Sequence, residues 1–74
     1  MKTTPGRLIR RARAEARLTQ VELARRCETA QSAISRLEND TISPTVETLE
    51  RVLAAAGAEL IITTKERDDA TTHG

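Results

Sequence analysis

Residues 19–39, TQVELARRCETAQSAISRLEN, constrain this chain more than any other stretch: they read as two short helices joined by a tight turn. In the first, Val21, Leu23, Ala24 and Cys27 fall roughly on one helical face, after Thr19, which can act as N-cap with Glu22 three residues later. In the second, Ala30, Ile34 and Leu37 recur at helical spacing and are predicted to face the same interior. Gln31, Ser32, Ser35, Arg36 and Asn39 are left together on the outer face. Short amide, hydroxyl and guanidinium groups of this kind make paired hydrogen bonds to base edges, in a major groove about as wide as a helix.

The stretch resembles the helix-turn-helix of the Cro and phage-repressor (XRE) family, whose usual pattern runs TQ-x-ELA, a turn, then IS-R-[IL]-E. Thr19, Gln20, Glu22, Leu23, Ala24, Ile34, Ser35, Arg36, Leu37 and Glu38 stand in the matching positions, and Ser43, Pro44, Thr48 and Leu49 extend the match downstream. Three positions depart from the pattern. Glu28 stands where the turn usually has Gly, Thr29 at the next, usually apolar position, and Ala30 where the second helix usually has a Ser N-cap. A non-Gly residue with positive φ costs roughly 1 kcal/mol or more, so a locally reshaped turn is expected.

The flanking residues complete a four-helix domain, expected over residues 5–57 after a flexible tail at 1–4. Thr4 offers an N-cap and Pro5 suits the first helical position, where its missing N–H is not needed. Leu8 or Ile9, Ala12, Arg13 and Ala16 trace one stripe of this first helix, and Leu18 links it to the next. A loop follows the third helix, and Thr45 caps a fourth with Val46, Leu49, Val52, Leu53 and Ala56 on its core side, ended by Gly57. Residues 58–64 then change period, with β-branched residues concentrated as in a strand. The predicted class is therefore all-α with a short C-terminal strand, followed by a disordered polar tail over 65–74.

A strand needs a partner, and the sequence contains no second one. Pairing with the same segment of another copy would bury Leu60 and Ile62, or Ile61, against the fourth helices. The alternative is an extension packed on its own domain. A four-helix domain closed by such a strand resembles the HipB-type antitoxins, in which two strands pair across a dimer. The absence of Phe, Tyr and Trp, which leaves a core of small aliphatic residues, also favours burial in a homodimer.

The net charge of +1 hides a division along the chain. Residues 1–26 carry eight basic side chains against two acidic ones, and residues 27–74 four against nine. Such polarity suits a protein that sets one face against phosphates; plain solvation of the helices is the competing reading. Arg13 is anomalous because it lies on the apolar stripe and needs a carboxylate, for which Glu38 is the candidate. The resemblance implies that Arg13 and Glu38 form a partly buried structural pair.

It also implies roles by position. Gln20 is expected on a phosphate, through its side chain or the free N–H groups of its helix. Gln31 and Ser32 head the recognition helix and are best placed for base edges, with Gln on adenine the specific contact. Ser35 and Arg36 lie one turn on, and Arg36 either reads a guanine or holds a phosphate. Asn39 and Thr41 are placed to contact the DNA backbone by main-chain or side-chain groups. Arg7, Arg10 and Arg11 either add phosphate contacts or are solvated.

Catalysis finds little support: His73 is the only histidine and stands next to the last residue, and Cys27 reads as a small apolar group. No enzyme activity, metal or cofactor is predicted. With one cysteine, no signal-like segment and no long apolar run, a cytoplasmic protein is expected. The combined expectation is a dimeric, sequence-specific DNA-binding repressor acting on an inverted-repeat operator, as the autoregulating antitoxin of a toxin-antitoxin operon with a cognate toxin partner. A phage-type repressor or restriction-modification controller would look similar. From another class, the rival is a protein-interaction module that uses the same fold as a scaffold.

Overall fold

The computed structural model describes residues 3–64; the expected disordered tail at 65–74 lies outside the described residues. Four helices follow one another: α1 (Pro5–Glu15), α2 (Gln20–Arg26), α3 (Gln31–Glu38) and α4 (Val46–Ala55). Their inner faces share one core of Ile9, Ala12, Leu23, Ala24, Ile34, Leu37, Leu49, Val52, Leu53 and Ala56, in which Ile9, Leu23 and Ile34 are fully buried. Leu8, Leu18, Cys27 and Leu60 pack on its edges.

Four apolar residues expected inside are exposed: Val21, Ala30, Val46 and Ala16. Each sits at a helix end. A Cβ tilts toward the N-terminus of its helix, so Val21 and Val46, in the first turns of α2 and α4, point past the core. In a seven-residue helix such as α2 only Leu23 and Ala24 are buried.

The helix starts are closed by side chains. Thr19 and Glu22 form the expected capping box on α2, and Thr45 accepts from the Thr48 amide at the start of α4. At α1 the accounting is complete. Pro5 has no N–H, the Gly6 amide donates to Asp40 Oδ1 (3.0 Å), the Arg7 amide to Thr4 Oγ1 and the Leu8 amide to the Thr4 carbonyl. Thr4 is thus fixed to the fold and is no tail, because its hydroxyl also donates to Asp40 Oδ2 at 2.7 Å. Only α3 lacks a side-chain cap, its N-cap being Ala30.

All four helices end in the same way. The residue after each C-cap is left-handed: Arg17 (φ 59°), Glu28 (φ 55°), Asp40 (φ 59°) and Gly57 (φ 79°). Its amide and the next one reach back to helix carbonyls, for example Glu28 to Arg25 and Thr29 to Ala24, the paired bonds of a Schellman ending. The turn between α2 and α3 is therefore not reshaped as the absence of glycine predicts: Glu28 takes the left-handed backbone that a glycine would adopt, because the two Schellman bonds hold it there. Glu28→Gly is expected to stabilise the domain: about 1–2 kcal/mol of left-handed strain is relieved, against about 0.4–1 kcal/mol of added chain entropy in the unfolded state. Its side chain makes no hydrogen bond among the described residues that would be lost. A melting curve checks this; the midpoint should rise, by up to about 10 °C, and a lower midpoint would contradict the account.

Residues 58–64 form no strand, and no strand exists among the described residues. A single extended segment has nothing in this chain to pair with. Leu60 is half-buried in a groove between α1 and α4, near Leu8, Ala12 and Leu53, whereas Ile61 and Ile62 are 73% and 63% exposed.

Candidate nucleic-acid interface

The outer face of α3 and the head of α2 lie together. Gln31, Ser32, Arg36, Asn39 and Thr41 are exposed, and Ser35 and Gln20 are half-buried. Because Ala30 supplies no cap, the Gln31 and Ser32 amides have no hydrogen bond among the described residues, so the head of α3 presents free donors as well as two polar side chains.

Behind this face lies a buried ion pair. Glu38, at the last position of α3, is 2% exposed and receives two bonds from Arg13 of α1: Nε donates to Oε2, and Nη2 to Oε1 at 2.9 Å. The remaining Arg13 nitrogen, Nη1, donates to the Leu18 carbonyl at 2.9 Å. The pair ties α1 to α3 and fills the guanidinium's fork, which explains how an arginine occupies the apolar stripe.

Gln20 turns inward to the same carboxylate, its Nε2 donating to Glu38 Oε1 at 3.1 Å, and its Oε1 accepts from Gln31 Nε2 at 3.2 Å. A continuous chain of bonds thus runs from α1 through Glu38 and Gln20 to the first residue of α3. The side-chain amide of Gln20 is engaged by protein, and its main-chain N–H at the start of α2 has no hydrogen bond among the described residues.

Of the α1 arginines, Arg10 is turned to α3. Its Nη2 donates to the Glu38 carbonyl (3.3 Å) and to Asn39 Oδ1 (3.2 Å), a cation at the negative end of the helix dipole. Arg11 pairs with Glu15 at 3.3 Å. Arg7 and Arg36 make no ion pair among the described residues and are exposed. The Thr41 amide donates to the Arg36 carbonyl and the Asn39 amide to that of Ser35. The Asn39 side chain is also engaged, Oδ1 accepting from Arg10 and Nδ2 donating to Ser35 Oγ at 3.5 Å, which leaves it one free N–H, whereas the Thr41 side chain has no hydrogen bond among the described residues.

Burial alone would raise the Glu38 pKa, but the Arg13 bonds, the Gln20 amide and the charges of Arg13 and Arg10 together hold it below its ordinary value of 4.5. The Arg13 guanidinium is correspondingly raised, first by its bond to Glu38. A carboxylate with a depressed folded pKa stabilises the fold above its unfolded pKa and loses that contribution as pH falls through the folded value. The melting temperature is therefore expected to decline as pH drops below about 4.5. Glu38→Gln should be less stable at neutral pH and show a shallower decline. An identical acid dependence in the variant would assign the effect to other carboxylates.

Three positions of this assembly are not evident from pattern alone: Gly6, Asp40 and Arg10. A Cβ on Gly6 would lie 2.6 Å from the Leu37 and Glu38 carbonyl oxygens, so α1 and α3 touch backbone to backbone there. The only sequence signal is a glycine inside the first turn of a helix, where propensity disfavours it.

Two short helices joined by a tight turn, α2 and α3, the second laid on the surface with its polar head outward and buttressed by α1, define a helix-turn-helix module of the DNA-binding kind. The Helix-turn-helix family profile matches residues 9–60, and the chain belongs to that family. It is also similar to an immunity repressor protein of Bacillus phage phi105, with 37% identity over 57 residues, 77% of this chain and 40% of that protein. The chain spans about 40% of the length of that curated relative. No solved structure matches. No helix among the described residues is long and apolar enough to cross a membrane.

Proposed function

We propose that the chain is a sequence-specific DNA-binding repressor that acts as a homodimer on an inverted-repeat operator. The observation that carries this is the head of α3: Gln31 and Ser32 are exposed, their amides are unbonded among the described residues, and the Gln31 side chain is held from behind by Gln20. Gln31 and Ser32 enter the major groove, Ser35 and Arg36 follow one turn on, and Gln20, Asn39 and Thr41 set register on the phosphates.

Dimerisation rests on Ile61 and Ile62, large apolar side chains left to solvent beside Leu60. Antiparallel pairing of residues 58–64 across a two-fold axis would cover them and satisfy the backbone of this segment. Two recognition helices about 34 Å apart would then read two half-sites one helical turn apart. Of the operon contexts, the phage immunity relative favours a phage-type repressor; an autoregulating antitoxin paired with a toxin is the second reading, carried by the segment after Gly57.

Binding to the DNA upstream of the chain's own reading frame tests the proposal. Gln31→Ala should lose about 1–3 kcal/mol of discrimination at one base pair. Arg36→Ala should either do the same at a second base pair or reduce the slope of log affinity against log salt by about 1. Unchanged affinity, preference and salt slope in both variants would remove α3 as the reading element. Binding that ignores salt altogether would favour a protein-interaction module.

A further inference from the structure

The bonds behind α3 have a direction, and it bears on which base the domain prefers. An ionised carboxylate only accepts hydrogen bonds. Glu38 Oε1 and Oε2 both face Arg13, and Oε1 also faces Gln20. Gln20 must therefore turn its NH2 group inward, at 3.1 Å from Glu38 Oε1, and its carbonyl oxygen outward. That oxygen in turn takes an N–H of Gln31 at 3.2 Å. Gln31 is left with its other N–H and its own carbonyl oxygen, on an exposed side chain.

One donor beside one acceptor matches adenine, which offers N7 as acceptor and N6–H as donor in the major groove. Guanine offers two acceptors, N7 and O6, so one of the two contacts would set oxygen against oxygen. A glutamine amide held by nothing turns over readily, because its terminal torsion is broad and roughly two-fold, and presents its NH2 group to guanine instead. The bonds from Glu38 outward remove that freedom.

Resting on the base-reading role proposed above for α3, we propose that Glu38 is a positioning residue for base recognition. As an acceptor-only anchor it orients the Gln20 amide, which orients Gln31 to offer the donor and acceptor pair that fits adenine and mismatches guanine. The buried ion pair then has a second task beyond holding α1 to α3: it fixes the polarity of an amide two bonds away at the surface.

The experiment is affinity selection from a pool of random DNA duplexes, followed by sequencing. It uses the full chain and its Gln31→Ala, Gln20→Met and Glu38→Gln variants, each confirmed folded by its melting curve. The unsubstituted chain should enrich adenine at one position per half-site, and Gln31→Ala should lose that enrichment. Gln20→Met leaves the Arg13 and Glu38 pair untouched. It should bind every duplex somewhat more weakly and show an adenine-to-guanine ratio at that position reduced about tenfold, within the range a bidentate base contact discriminates. Glu38→Gln, which can donate to the Gln20 oxygen, should move the preference at the same position toward guanine. If it is too unstable to select with, the double variant Arg13→Met with Glu38→Leu, which removes the acceptor without stranding a buried charge, takes its place and should lose the adenine preference at that position; a ratio it keeps would overturn the role of Glu38.

Folded Gln20→Met and Glu38→Gln proteins that keep the original ratio at the Gln31-dependent position would overturn the inference while leaving base reading by α3 intact. No enriched sequence for the unsubstituted chain, or no position that depends on Gln31, would overturn base reading and this inference together.

Discussion

Glu38→Ala is expected to cost the domain about 3 kcal/mol and to lower its melting temperature more than the other substitutions considered. Its carboxylate is 1% exposed and accepts from Arg13 and Gln20. Removing it strands the Arg13 guanidinium, whose side chain is 20% exposed, with the Leu18 carbonyl as its remaining acceptor among the described residues. Breaking one side of a buried pair costs about 3–5 kcal/mol, and Arg13's partial exposure puts this case at the lower end. A small domain has about 0.05–0.15 kcal/mol of stability per residue, so a loss of about 3 kcal/mol consumes much of what this one has. The midpoint of a thermal melt should fall by about 12 °C or more. Replacing both partners by apolar residues, as in Arg13→Met with Glu38→Leu, should recover a good part of the loss, because no buried charge is then left unpaired. A melting temperature unchanged in Glu38→Ala, with only DNA affinity reduced, would show that Glu38 is a contact residue and not a clamp.

Gly6→Ala should be almost as damaging, for a steric reason. The added Cβ would meet the Leu37 and Glu38 carbonyl oxygens at 2.6 Å and Asp40 Oδ1 at 2.8 Å. Two of these are backbone atoms that no rotamer change can move. Overpacking of this kind costs about 1–3 kcal/mol and occasionally more. The shift of α1 would also weaken the bonds from the Gly6 amide to Asp40 and from Arg10 to the Glu38 carbonyl, each worth about 1 kcal/mol. Alanine's better helix propensity returns about 1 kcal/mol, leaving a net loss of about 3 kcal/mol. Gly57→Ala is the control. Nothing lies within 4 Å of its Cβ, so only the left-handed backbone is strained, at about 1–2 kcal/mol. Chemical denaturation of the two variants side by side checks the order; equal losses would mean that the α1 to α3 contact yields without cost.

The sequence carries most of the helical scaffold and less of what connects it. The caps Thr4, Thr19 and Thr45 and the core positions Ile9, Leu23, Ile34 and Leu53 follow from periodicity, from capping rules or from the family pattern, all of which act within a few residues, whereas the turn at Glu28 keeps its left-handed backbone where the missing glycine argues for a reshaped one. Val21 and Val46 lie outside the core although apolar spacing places them inside, because the first turn of a helix projects beyond the core. Asp40 capping a helix more than thirty residues earlier in the chain, and Arg10 turning to α3 instead of outward, depend on where separate helices come to rest. The same holds for Gln20: its position marks it as a surface residue near DNA, but its inner bond to Glu38 exists only once α2 is docked on α3. The strand over 58–64 was legible as composition, yet composition does not supply the partner that makes a strand.

The most direct measurement is a hydroxyl-radical footprint of the chain on a duplex recovered by selection. Two protected patches on one face of the DNA, centred about one helical turn of 10–10.5 base pairs apart, are expected, one for each copy's α3. A single protected patch, or no protection at concentrations that saturate binding, would contradict the presentation of two α3 heads to one duplex.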